Sequence, residues 1–158
     1  MTIVPIRGLF EAHLNVSNLD RSIAFYRDVL GLELAHRIPE RHCAFFWMGA
    51  PGQTMLGLWC IYTTPIRERL HIAFRVDLED VIASVERLRV AGITPRSTGG
   101  GPEIAEPRVA PWRPGASVFF DDPDGHSLEF TSELPDPPRP DLDRMPLSTW
   151  RRLVVEAE

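Results

Sequence analysis

The 158-residue chain is 44% hydrophobic and 25% charged, an ordinary balance for one globular domain with a substantial core. Its net charge of −5 excludes the basic stripe that nucleic-acid binding needs. No apolar run approaches membrane-spanning length and residues 1–10 lack a signal-peptide layout, so neither a membrane nor a nucleic acid is expected as a partner. Cys43 and Cys60 lie in apolar strand-like segments without metal-type spacing. They read as reduced core residues of a cytoplasmic protein.

The first predicted strand, Phe10 to Val16, alternates, with Ala12, Leu14 and Val16 on one face and Glu11, His13 and Asn15 on the other. A helix follows from an N-cap at Ser17 or Asn18, carries Ile23, Tyr26 and Leu30 on one side, and stops at Gly31. Strand-like runs come next at Glu33–Arg37, His42–Met48 and Thr54–Tyr62, the last two joined by a hairpin-type connection over 49–52.

Leu70 to Val76 alternates again, setting Ile72, Phe74 and Val76 against His71, Ala73 and Arg75. Asp77 caps a second helix with Val81, Val85 and Leu88 on one side, ended by Gly92. Ser97 to Pro114, with three successive glycines and four prolines, is the longest irregular stretch. That length inside a compact domain suits a lid or binding loop. Asp121 to Phe130 opens on an Asp-Pro-Asp-Gly turn and continues as a strand, with His126, Leu128 and Phe130 on one face and Ser127, Glu129 and Thr131 on the other. Glu129, mid-strand, is either a solvated outer-face carboxylate, the commoner case, or a ligand.

Beyond Glu133, a proline-rich arm leads to a short helix starting near Ser148, with Trp150, Leu153, Val154 and Ala157 along one stripe. So short a helix must dock to persist. The arm is long enough to reach past its own strands, and docking on a second copy of the chain is the expectation, with docking back on its own chain as the alternative.

Val16 to Asp20 answers to Val76 to Glu79, and Gly31-Leu32-Glu33 to Gly92-Ile93-Thr94, a period of about 60 residues. Each copy reads strand–helix–three strands. The fold class is therefore α+β, with two paired βαβββ modules forming a cup-shaped mixed sheet, plus the short C-terminal helix. Residues 1–133 make one domain (module 1 about 8–64, module 2 about 67–132), and 134–158 the arm and helix. The apolar faces of the strands must pack on the helices, so the polar faces of three strands line one concavity where His13, His71 and Glu129 converge. Two imidazoles and a carboxylate on a rigid sheet make a facial triad for a divalent ion.

His13 to Ser22 with Phe25 to Glu33, and Asp122 to Phe130, resemble the opening and the final strand of a vicinal-oxygen-chelate module. That family groups glyoxalase I, extradiol dioxygenases, fosfomycin-modifying enzymes, methylmalonyl-CoA epimerase and metal-free bleomycin-binding proteins. The resemblance spans residues 8 to 132 and implies His13, His71 and Glu129 as ligands of one divalent ion (Fe, Mn, Zn, Ni or Co). Glyoxalase I and the epimerase take a fourth ligand from the last strand of the first module. By the internal repeat that position falls at Leu56, and Thr54 to Ile61 holds no Asp, Glu or His. A three-ligand set is similar to the dioxygenase and fosfomycin-modifying branches.

The reading is a metal-dependent enzyme of the glyoxalase/dioxygenase type, a dioxygenase or a lyase/isomerase, binding two oxygens of a small-molecule substrate. The alternative is a non-catalytic protein that sequesters a small molecule. Candidate proton-transfer groups are Glu11, Glu40 and His42, and candidate pocket residues are Asn15, Trp47, Arg113 and Phe119, with Trp59 and Trp112 as further aromatics. The resemblance also implies a homodimer.

Overall fold

The computed structural model describes residues 8–60 and 68–155. The chain divides at Glu68/Arg69 into two units, one for each predicted module, with the arm part of the second. The expected module boundary near 64–67, and the ends of the third run at Tyr62 and of the last helix at Ala157, lie outside the described residues.

In the first unit, β1 (Glu11–Asn15), β2 (Glu33–Ile38), β3 (Cys43–Trp47) and β4 (Met55–Trp59) form a mixed sheet in the order β1-β4-β3-β2. β1 and β4 run parallel, which leaves one face of the pair for α1 (Leu19–Ala24). Asn18 caps that helix by accepting from Arg21 N at 2.9 Å, satisfying one of the first-turn donors. Phe25–Val29 continues it as a wider π-type turn, with Leu30 N donating to Phe25 O, and Gly31 ends it at φ +71°. The predicted single helix is thus two segments of different pitch. Leu14, Ile23, Tyr26, Phe46, Leu56 and Leu58 are buried together with Cys43 as the core of this unit. Both cysteines are free thiols.

The second unit repeats the plan with β5 (His71–Arg75), α2 (Leu78–Val90), β6 (Arg108–Val109), β7 (Gly115–Asp121) and β8 (Ser127–Glu133). Its sheet has the order β5-β8-β7-β6-β9, the last strand (Met145–Pro146) coming from the C-terminal arm. Val81, Val85 and Leu88 of α2 are buried, as are Val118, Phe120 and Leu128 of the sheet, and Phe120 lies 4.7 Å from Phe130 between ring centroids. Asp77 starts α2 through its carbonyl, with no capping hydrogen bond from its side chain. β6 lies inside the stretch read as irregular. Two paired residues are too few to show any alternation.

The Asp-Pro-Asp-Gly turn has a definite mechanical part. Asp122 Oδ1 accepts from Asp124 N and His126 N, while Gly125 takes φ +87°. Buried His126 then accepts the Leu70 N–H on Nδ1 at 3.1 Å, and Ser127 N donates to Leu70 O at 2.8 Å. The turn therefore clamps the start of β8 to the start of β5 and sets their register.

The arm folds back on its own unit, which corrects the expectation that it reaches for a second copy. β9 pairs antiparallel with β6, covering an edge that two residues leave open. From there α3 (Leu147–Val155) lays Leu147 and Trp150 into the unit, with Leu147 N donating to Pro107 O. Trp150 is 1% exposed, and its indole Nε1 donates to Asp136 Oδ2 at 2.7 Å, so the proline-rich segment and the helix hold each other. Glu106 accepts from both Ser148 N and Ser148 Oγ at the helix start. No helix among the described residues is long and apolar enough to cross a membrane.

Trp150→Ala should therefore lower unfolding free energy by about 3–5 kcal/mol, the cost of a large buried aromatic plus its hydrogen bond. Urea titration checks this. A loss below about 1 kcal/mol, within the range of ordinary surface substitutions, would mean that the helix is not docked.

Candidate metal centre

β8 pairs with β5 in parallel, Ala73 opposite Glu129 and His71 opposite Ser127, so His71 and Glu129 share one face two residues apart in register. β7 places Phe119 opposite Glu129 on the same face. His71 Nδ1 donates to Ser127 O at 3.0 Å. That bond engages Nδ1 and leaves Nε2 as the nitrogen facing Glu129, the arrangement a metal-binding imidazole uses. Nε2 lies 3.2 Å from Glu129 Oε2, and the Glu129 side chain is only 9% exposed. Phe119 stacks on the His71 ring at 5.5 Å and holds its plane. Glu129 is thus buried, with the His71 imidazole beside it. Its burial sets aside the reading of an outer-face surface carboxylate.

The first unit presents a similar pair by a different route. On β1, Glu11 and His13 lie on one face, and the Glu11 carboxylate accepts from His13 Nε2. The His13 ring sits among Trp59 (5.4 Å) and Phe45 (5.9 Å), over Gly57, which faces it across the β1–β4 register. A Cβ at Gly57 would stand 2.5 Å from His13 Cδ2, so a glycine is what lets the ring lie there.

Comparing the two registers revises the sequence reading in two places. The third residue of β5 faces Glu129, and the third residue of β1 faces Gly57. Gly57, not Leu56, is therefore the counterpart of Glu129, and Leu56 is turned fully into the core. By the same register the counterpart of His71 is Glu11, and that of His13 is Ala73. The repeat Val16 to Val76 already carried this offset of 60 and placed a carboxylate on β1 at the position of the β5 histidine. Each unit thus offers one imidazole beside one carboxylate. Among the described residues, no three His, Cys, Asp or Glu side chains gather into a metal-holding group: the structure brings His71 to Glu129 and His13 to Glu11.

The other predicted residues separate. Asn15 ends β1 opposite Trp59, and Trp47, half-buried, ends β3 opposite Met55 and Glu33. Glu40 and His42 occupy the exposed turn between β2 and β3, where nothing among the described residues ties either side chain to Glu11 or His13. Trp112 is 65% exposed, and Arg113 lies beside its ring with Cζ 5.9 Å away. Trp59 packs on His13 and takes the Arg41 guanidinium at 4.8 Å, while its indole N–H is buried without a partner among the described residues.

The chain belongs to the glyoxalase/bleomycin resistance protein/dioxygenase superfamily, whose model matches residues 8–130. It is 31% identical over 133 residues to the lactoylglutathione lyase of Haemophilus influenzae, covering 77% of this chain and 90% of that one. It is likewise 31% identical to the glutathione transferase FosA of Serratia marcescens, covering 78% and 79% of the two chains. The crystal structure of a lactoylglutathione lyase from Agrobacterium tumefaciens, 26% identical, matches with a TM-score of 0.61 over 81% of this chain and 95% of that one. Superfamily membership and fold agree with the resemblance read from the sequence.

Gly57→Ala gives a direct test of the β1 geometry. The ring of His13 is partly exposed and free to swing away, so the variant should fold with stability changed by about 1 kcal/mol or less. The His13 ring proton resonances, shifted by Trp59 and Phe45, should move toward random-coil values. If they stay put, the ring does not lie over Gly57.

Proposed function

We propose that the protein is a metal-dependent enzyme holding one divalent ion through His13, His71 and Glu129, with Glu11 as a further carboxylate beside His13. The observation that carries this reading is His71, whose Nδ1 is committed to a carbonyl while Nε2 stands beside a buried carboxylate. The donor set of imidazole nitrogens and carboxylate oxygens fits Zn, Mn, Fe, Ni or Co. When bound, the ion supplies Lewis acidity to two oxygens of a small substrate.

The rest of the chemistry belongs to the chain. His71 and Phe119 form a flat wall on one side of buried Glu129. Glu11, a partly exposed carboxylate beside His13, is the candidate proton-transfer group. This second carboxylate favours Lewis-acid chemistry of the lyase or group-transfer kind over oxygen activation, which uses two histidines and one carboxylate with open positions. The two relatives at 31% identity, a lyase and a transferase, point the same way. A soluble homodimer is part of the same proposal, and light scattering tests it.

Protein purified without chelator and dialysed against each candidate metal should carry about one ion per chain. His71→Ala and Glu129→Ala should each weaken that ion by more than the roughly 10–100-fold typical of losing a supporting group. His13→Ala should weaken it as well. A wild-type chain that stays substoichiometric under metal-replete conditions, or a His71→Ala variant with unchanged affinity, contradicts the proposal.

A further inference from the structure

The folded-back arm delivers a side chain that the metal reading leaves unused. Arg144 stands just before β9, and its Cζ lies 5.6 Å from the Phe119 ring centroid, so the ring that stacks on His71 also carries a guanidinium. Arg144 Nη1 is buried with no hydrogen-bond partner among the described residues. Arg108 is tied to it, donating from Nη2 to the Arg144 carbonyl at 3.3 Å, and its own Nε is likewise buried and unpartnered.

Two orphaned guanidinium N–H groups at one place are costly, because a buried donor without an acceptor loses its water and gains nothing in exchange. Burial pushes the Arg144 guanidinium below its ordinary value; the Glu129 carboxylate opposes this, while Arg108 and Arg113 add to it. Arg113 is partly offset by Glu133 at 3.9 Å, but Arg144 makes no ion pair among the described residues. If Glu129 is committed to an ion, this corner keeps an excess of positive charge. A planar guanidinium with free N–H groups matches a carboxylate or phosphoryl oxygen pair.

We propose that Arg144, backed by Arg108, is the anion-recognising element of the site, and that the substrate is a small molecule bearing a carboxylate or phosphoryl-type oxyanion. This rests on the metal reading for its place beside the ion, but anion binding as such does not require the metal. The C-terminal arm is then part of the binding site and not only a cover for the β6 edge.

The test is isothermal titration of the full chain, as purified and again after chelator dialysis, with inorganic phosphate, acetate and neutral acetamide. Wild type should bind one or both anions saturably and acetamide not at all, and the preferred anion assigns the phosphoryl or the carboxylate class. Arg144→Met should weaken the anion about tenfold or more, the value of a lost charge-assisted hydrogen bond, and Arg144→Lys should recover part of it. His71→Ala should lose the ion yet keep anion binding in the chelated state, which separates failure of this proposal from failure of the metal reading. Absent or equal binding of anions and acetamide by wild type overturns it without recourse to any variant. So does a folded Arg144→Met protein whose affinity matches wild type.

Discussion

The register of the parallel pair β5–β8 is the constraint on which the candidate centre depends. Two strands that run parallel, 56 positions apart at His71 and Ser127, bring an imidazole and a carboxylate from distant parts of the chain to neighbouring places on one face. A slip of one residue would turn Glu129 into the apolar layer and Leu128 out of it, so the hydrophobic core itself guards the pairing. The turn at 122–126 locks that register chemically. Asp122 folds the turn, and His126 and Ser127 take both polar groups of Leu70. The histidine nearest Glu129 in sequence is therefore a structural residue, and the one that meets it lies 58 residues away along the chain.

Much of this was legible because alternation is a strong signal when one strand face is buried and the other is not. β1 and β5 announce themselves that way, as does the aliphatic stripe of α2, while β8 alternates in sequence although Ser127 and Glu129 are buried as well as Leu128. The register between strands distant in sequence is less readable. Leu56 and Gly57 are adjacent, and only the pairing of β4 with β1 decides which of them faces His13. Taking the repeat from Val16 and Val76 strictly would have placed Glu11, not His13, opposite the role of His71. Histidines draw attention more readily than a glutamate at a strand end. β6 left no pattern because two residues carry none, and the π-type turn at Phe25–Val29 leaves the apolar spacing of a helix nearly unchanged.

The arm shows how a tail becomes structure. Its proline-rich part forgoes few hydrogen bonds by being extended, and the cost of ordering it is offset by one large burial, that of Trp150. Docking in cis also closes the short β6 edge and carries Arg144 to Phe119. An apolar stripe at the end of a stiff arm identifies a docking element, but not the surface it docks on. That choice is made by complementarity on the target: the open edge of β6, the Pro107 carbonyl and the Glu106 carboxylate.

The central proposal is that His13, His71 and Glu129 hold a single ion. Diffraction from metal-loaded crystals at the absorption edge of the bound metal tests it most directly, because the anomalous signal locates the ion independently of the protein coordinates. The account predicts one strong peak per chain, bonded to Nε2 of His71 and a carboxylate oxygen of Glu129, with His13 as a further ligand, at roughly 2.0–2.2 Å for nitrogen and oxygen donors. A peak that lies away from His71 and Glu129, or that takes no donor from His13, would contradict it.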